Sequence, residues 1–507
     1  MTNLYSLLQQ HFPTDRGQTA LETPDGLRIS YADLEAGSGR IARLLLDCGV
    51  QPGDRVAAQI EKSPEALLLY LAVLRAGAVY LPLNTAYKGG EVAYFLEDAE
   101  PRVLVCTPAN EAALKAIAKK AGVANVLSLG DASDGSLVER SRSLDPEVPV
   151  VARGDDDLAA ILYTSGTTGR SKGAMLSHAN LGSNTMTLRD YWGFTADDVL
   201  IHALPIFHTH GLFVATHCVL LSGSRMLFLN RFDADTVLDL IPRATAMMGV
   251  PTFYTRLLAS PRLTRELCAG MRLFVSGSAP LLADTFNEFE ARTGHRILER
   301  YGMTETTMNT SNPLHGERIG GTVGFPLPGV EVRVTDENGT ALPQGEVGVL
   351  EVKGPNVFKG YWRQPEKTAA EFRKDGFFIT GDVAMIDARG YVHIVGRAKD
   401  LIISGGFNVY PKEIELCIDQ IDGVQESAVV GVPHPDFGEA VVAVVKRAAG
   451  GPDVTAESIQ STAKAELANF KVPKKVFFVD ELPRNTMGKV QKNLLRDRFK
   501  DSFSSAA

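Results

Sequence analysis

Apolar and polar residues follow two alternating rhythms along this chain. Over 31–48 and again over 63–76 the apolar positions recur every three to four residues (67, 68, 71 and 74 in the second stretch), which predicts amphipathic helices. Between and beyond them lie short, almost unbroken apolar runs at 55–60, 78–83, 102–106, 158–163, 224–229 and 271–276, which predict buried strands. Helix and strand in alternation predict an α/β body with parallel-type sheets flanked by helices. From 324 to 361 the texture turns to short β runs, 330–334 and 348–352, between Gly and Pro turns, and predicts a β-rich subdomain of that body. A third texture follows 396–397: a helix at 411–420, strands at 424–432 and 441–446, a helix at 455–469 and a basic tail. The expected organisation is an N-terminal body, 1–398, and a smaller mobile α+β unit, 399–507, hinged within 396–400.

Composition narrows the class without naming a function. The chain has 507 residues, 45% hydrophobic and 22% charged, which excludes disordered, collagenous and coiled-coil proteins. A net charge of −8 gives no reason to expect nucleic acid or an anionic membrane as partner. The five cysteines are scattered and show no CxxC spacing, as in a reduced chain without a zinc site. The first residues, Met1-Thr2-Asn3-Leu4-Tyr5, lack a basic segment and apolar core, and the most apolar stretch, 202–229, is broken by His208, His210, His217 and Arg225. A cytoplasmic location is expected.

The strongest local motif is Tyr163-Thr164-Ser165-Gly166-Thr167-Thr168-Gly169-Arg170-Ser171-Lys172-Gly173. An apolar strand feeds a loop of small residues whose backbone N–H groups can approach phosphate oxygens, while Lys172 adds charge. It is not a Walker A loop, because the spacing of GxxxxGK[ST] does not fit. No GxGxxG follows an early strand, which excludes a dinucleotide-binding dehydrogenase.

This string resembles the phosphate loop of the adenylate-forming superfamily, which includes acyl-CoA synthetases, firefly luciferase and the adenylation domains of peptide synthetases. Further matches follow in that family's order: Ser276-Gly277-Ser278-Ala279-Pro280, Tyr301-Gly302-Met303-Thr304-Glu305, Thr380-Gly381-Asp382, Gly396-Arg397-Ala398-Lys399-Asp400 and Pro483-Arg484-Asn485-Thr486-Met487-Gly488-Lys489. Each also makes chemical sense by itself. Tyr301 can stack on a purine, Thr304 can reach an α-phosphate and Glu305 can hold Mg²⁺ beside a triphosphate, although Thr304 could equally cap a helix. Asp382 can accept both hydroxyls of a ribose. Lys489 is a compact point charge suited to a developing phosphorane.

The resemblance implies ATP binding by Thr164, Ser165, Gly166, Thr167, Thr168, Gly169 and Lys172. Ser278, Ala279, Glu299, Arg300, Tyr301 and Gly302 are implied at the adenine, and Asp382 and Arg397 at the ribose. It implies Lys489 as the catalytic lysine of adenylation, assisted by Thr304 and Glu305, with His208 as a gate beside the acyl channel. It implies a pivot at Lys399, with Ser404, Gly405 and Gly406 lining the way of the CoA pantetheine. By the same resemblance Lys489 is a target for a protein acetyltransferase.

Over nearly the whole chain, including 203–216 and 300–313, the texture is similar to the malonyl-CoA synthetase branch of that superfamily. There the position of Arg256 binds the distal carboxylate, while Thr209 and Met308 bound the space around C2 and Ser278 joins the acyl pocket. Read from the residues, a buried Arg256 would demand an anion, whereas an outward Arg256 would be a surface charge. The expected reaction is malonate + ATP + CoA giving malonyl-CoA, AMP and pyrophosphate through a malonyl-adenylate, with a domain rotation between half-reactions. The alternatives are methylmalonate or another short acid, a stand-alone enzyme that loads a carrier protein, or an inactive nucleotide-binding protein.

Overall fold

The computed structural model describes residues 3–164, 171–404, 407–485 and 488–503. Its compact units are Met1–Val332 with Val352–Phe378, and Arg333–Glu351 with Ile379–Ala507.

The first unit is built on two sheets. In the six-stranded one, Asn125–Ser128, Val103–Cys106, Arg55–Gln59, Val79–Pro82 and Leu158–Thr164 lie side by side in parallel, and Lys172–Ser177 closes the edge antiparallel to Leu158–Thr164. Val79–Pro82 and Val103–Cys106 are buried along their whole length, as expected of parallel strands covered on both faces. In the nine-stranded sheet, Leu298–Met303, Leu273–Ser276, Ala246–Gly249, Val199–His202, Arg225–Phe228 and Thr19–Glu22 are parallel neighbours, with antiparallel strands at both edges. The predicted helices form where caps permit them. Ser30 and Asp33 make a capping box at Tyr31–Asp47, and Ser63 caps Pro64–Arg75, whose first residue needs no N–H donor.

In the second unit, Val424–His434 and Gly438–Arg447 form a long antiparallel pair. The two-residue period sends Ala428, Val430, Val432, Val442 and Val444 to one face, against Leu482 and Leu495. It sends Val429, Val441, Ala443 and Val445 to the other, against Ile414, Ile418 and Ile459. Residues 333–351 and 379–398, which the sequence places in the N-terminal body, group with the C-terminal residues. The strand Val347–Lys353 pairs with Phe378–Ile386, and Val392–Arg397 lies against the helix Pro411–Asp419. Among the described residues no helix is long and apolar enough to cross a membrane.

Asp419, at the end of that helix, has a shielded Oδ1 with no hydrogen-bond partner among the described residues. Burial pushes its carboxyl up to about 7, against the pull of Ser427 and Lys412. A raised carboxyl contributes stability below the unfolded value and loses it as pH rises through the folded one. Between about pH 4 and pH 7 Asp419→Asn should therefore gain on the parent chain, by on the order of a few kcal/mol at most. Thermal unfolding across that range checks this; a difference that does not grow with pH would overturn it.

Candidate active site

Parallel pairing puts the C-terminal ends of Val199–His202, Ala246–Gly249, Leu273–Ser276 and Leu298–Met303 on one edge of the nine-stranded sheet. The acyl-site candidates of the first unit follow those ends or lie on the next hairpin strand: Thr209, Ser278, Met308 and the helix Pro251–Leu258 with Arg256. Such an edge is where open α/β sheets bind ligands.

A group of buried polar atoms without partners gathers there. Arg300 is 2% exposed, and its Nε and Nη2 find no acceptor among the described residues. Burial lowers its guanidinium to about 9, with Tyr254 and Glu299 pulling the other way. The guanidinium packs on Gly277, where an added Cβ would stand 2.5 Å from Arg300 Cζ. Ser276 Oγ and Thr209 Oγ1 are also buried and have no hydrogen-bond partner among the described residues. His210 Nδ1 meets Ser278 Oγ at 3.2 Å, and Nε2 has no partner among the described residues. Burial, then the charge of Arg300, holds His210 well below its usual value, so the ring is neutral. Ser278 sits at φ 71°, a costly conformation for a residue with a Cβ and one that clusters at functional sites.

Arg256 differs from the burial considered for it. It lies on the solvent side of its helix and is exposed, whereas Tyr254, Leu257 and Leu258 of the same helix are buried. The buried guanidinium of this unit's acyl edge is Arg300, which the resemblance assigned to the adenine neighbourhood. Met308 is buried and packs on Gly302, where a Cβ would lie 2.6 Å from Met308 Cε. Thr304 caps no helix, because it lies in the turn between the strands Leu298–Met303 and Thr307–Ser311.

Glu305 follows in that turn and is 6% exposed. Its Oε1 accepts from the Tyr361 hydroxyl at 3.1 Å, and the same hydroxyl is 2.7 Å from Glu371 Oε2. One phenolic proton thus stands between two carboxylates, and burial with both charges pushes the Tyr361 phenol far up. Lys172 Nζ reaches Glu371 Oε1 at 3.2 Å and lies 4.0 Å from the centre of the Tyr361 ring. Thr164 and Lys172 are paired residues of a strand hairpin, so the two ends of the glycine-rich loop meet. Glu305 fits Mg²⁺, which binds through one or two carboxylates and completes its shell with phosphate and water. Among the described residues no three metal-ligating side chains gather, so nucleotide oxygens would supply the rest.

In the second unit, Asp382 and Arg397 face each other across the hairpin of Phe378–Ile386 and Val392–Arg397, with Arg397 Nε 2.5 Å from Asp382 Oδ1. Asp382 is 2% exposed and its N–H is held by Thr380 Oγ1 at 3.0 Å. Lys399 is exposed on the turn that follows, Ser404 is buried, and Lys489 is exposed at the closing end of a tight hairpin. Ser165, Gly166, Thr167, Thr168, Gly169, Gly405 and Gly406 lie outside the described residues.

Sequence patterning missed two contributions. Tyr361 and Glu371, which hold Glu305 and Lys172, stand in no recognisable motif. Lys62, 6% exposed, has its Nζ 2.9 Å from His202 Nδ1 and 2.7 Å from His202 O. His202 Nε2 lies 3.0 Å from Gly211 O, which can only accept, so Nε2 carries the proton and Nδ1 accepts from Lys62. Lys62 thus braces the π-helical turn His210–Thr216 that follows Thr209. Nothing in the sequence Gln59-Ile60-Glu61-Lys62-Ser63, where the lysine stands beside a glutamate and a helix-capping serine, announces that it turns inward.

A family model for AMP-binding enzymes matches residues 8–362, and one for the C-terminal domain of AMP-binding enzymes matches 413–489. A feruloyl-CoA synthase from an Amycolatopsis species is 38% identical over 480 residues, 94% of each chain. The malonate–CoA ligase of Arabidopsis thaliana is 33% identical over 518 residues, covering 93% of this chain and 85% of that one. The crystal structure of ATP-bound MatB from Rhodopseudomonas palustris is 61% identical and superposes with a TM-score of 0.97 over 99% of both chains. The chain belongs to the AMP-binding, adenylate-forming enzyme family, close to the malonyl-CoA synthetases, and is an AMP-forming acyl-CoA synthetase.

Proposed function

We propose that this enzyme converts malonate, ATP and CoA to malonyl-CoA, AMP and pyrophosphate through a malonyl-adenylate. The observation that carries the choice of acid is the buried guanidinium of Arg300, whose Nε and Nη2 meet no acceptor among the described residues. Arginine keeps its proton in proteins, so such a site is costly until an anion enters it. A distal carboxylate supplies that anion, with Ser276, Thr209 and neutral His210 offering further hydrogen bonds. Met308 and Thr209 keep the space around C2 small. The aromatic acid named for the feruloyl-CoA synthase relatives would leave Arg300 unpaired, whereas the similarity to malonate–CoA ligases agrees with it.

The reaction divides into two steps. In the first, the near carboxylate of malonate attacks the α-phosphorus and pyrophosphate leaves. Asp382 and Arg397 hold the ribose, Tyr301 stacks on the adenine, the loop ending at Lys172 takes the phosphates, and Thr304 meets the α-phosphate. Glu305 would hold Mg²⁺, which when bound would offset triphosphate charge. Lys489 stabilises the charge that grows on the transferring oxygens. In the second step the CoA thiol displaces AMP, and residues 399–507, which carry Lys489, turn about Lys399 so that Ser404 and its neighbours line the pantetheine path.

Two measurements test this. Arg300→Leu should lower kcat/KM for malonate relative to propionate by roughly 2–5 kcal/mol, the scale of breaking a buried charge pair, with a smaller loss in Arg256→Ala. An unchanged ratio in Arg300→Leu sinks the assignment, and a larger loss in Arg256→Ala transfers it to that residue. Separately, Lys489→Ala should stop malonate-dependent pyrophosphate release while thioester formation from supplied malonyl-adenylate and CoA continues. Equal loss of both half-reactions would contradict the division of labour.

A further inference from the structure

Lys489 stands on a hairpin whose geometry is set by its own neighbours. Arg484 and Val490 form an antiparallel bridge, Gln491 N–H donates to Pro483 O at 2.8 Å, and Asn485 N–H donates to Lys489 O at 3.0 Å. Gly488 N–H returns to Asn485 O at 2.9 Å, and Gly488 takes φ +73°, the left-handed conformation on which such short hairpins close. Residues 486 and 487 lie outside the described residues.

The peptide between Gly488 and Lys489 has both of its polar groups held by side chains. Its carbonyl, Gly488 O, accepts from Arg484 Nη1 at 2.6 Å, and its N–H, that of Lys489, donates to Asn485 Oδ1 at 3.0 Å. The other end of the guanidinium, Nη2, is ion-paired with Glu426 Oε2 on the strand Val424–His434. A second tie follows the hairpin. Lys492 Nζ lies 2.6 Å from Glu415 Oε1, an oxygen that also accepts from Val429 N–H at 2.8 Å. The hairpin is thereby fastened to the long strand pair and the helix Pro411–Asp419 at points on both sides of Lys489.

We propose that Arg484, anchored by Glu426, is a positioning residue for the adenylation step that acts through the backbone of Lys489. This rests on the reading of Lys489 given above. A planar guanidinium can serve two acceptors at once, one on each side of its fork, where an ammonium on a flexible stem cannot hold the same geometry. Without Arg484 the Gly488 carbonyl turns to water and the aim of the lysine loosens. Displacements of about 1 Å at a reacting group can cost 10²-fold in rate.

The test is the pair of half-reactions measured in Arg484→Ala, Arg484→Lys and Glu426→Gln, each with and without Lys489→Ala. The acid is whichever supports pyrophosphate release by the parent enzyme. Arg484→Ala should lower kcat for pyrophosphate release roughly 10–100-fold with little change in KM for ATP or acid. Arg484→Lys should recover little, and Glu426→Gln should fall between. In the Lys489→Ala background none of them should lower the residual rate further. Unchanged kcat in Arg484→Ala, or an equal further loss when Lys489 is already absent, overturns the proposal. If Arg484→Ala does not fold, Glu426→Gln carries the same comparison. Full adenylation by Lys489→Ala alone would instead overturn the reading of Lys489.

Discussion

Parallel hydrogen bonding between strands constrains this molecule more than any other interaction. Strands that pair in parallel must end on the same edge, and each must be carried back by a crossover before the next begins. The chain therefore cannot place His202, Gly249, Ser276 and Met303 anywhere but at neighbouring ends of one sheet. Groups far apart in sequence, such as His210, Gly277 and Arg300, become neighbours because sheet pairing sets the distance between them. The polar atoms collected there find few backbone partners, because the strands have already satisfied their own N–H and C=O groups.

Charge is handled in opposite ways within the first unit. Around Glu305 two carboxylates share one tyrosine hydroxyl, and lysines draw in beside them, so the cluster carries its own partial compensation. Around Arg300 the compensation is incomplete, with Glu299 the neighbouring carboxylate and Nε and Nη2 unmatched among the described residues. A cluster that balances itself can wait for a cation and phosphates without distortion. One that does not balance itself is poised for an anion, and pays in folding stability for that readiness.

The strands were legible because burial on both faces leaves continuous apolar runs, and Val79–Pro82 and Val103–Cys106 fall within a residue of the runs that predict them. The helices were legible where Ser30 and Ser63 announce their starts. Burial of a particular charge was not. Arg256 stands between Thr255 and Leu257 and Arg300 between Glu299 and Tyr301, and neither pair of neighbours tells which guanidinium turns inward; the place of Arg300 on a paired strand does. The grouping of 379–398 was hidden for a similar reason. The helix that its strand Val392–Arg397 lies against comes later in the chain.

The contact between Gly277 and Arg300 also limits how the enzyme's descendants can change. Any side chain at 277 would meet the guanidinium at 2.5 Å, while Gly277 has an ordinary φ and no conformational need to remain glycine. The two positions are therefore coupled. A side chain arriving at 277 would have to displace the guanidinium, so the effect of a change there depends on which residue stands at 300.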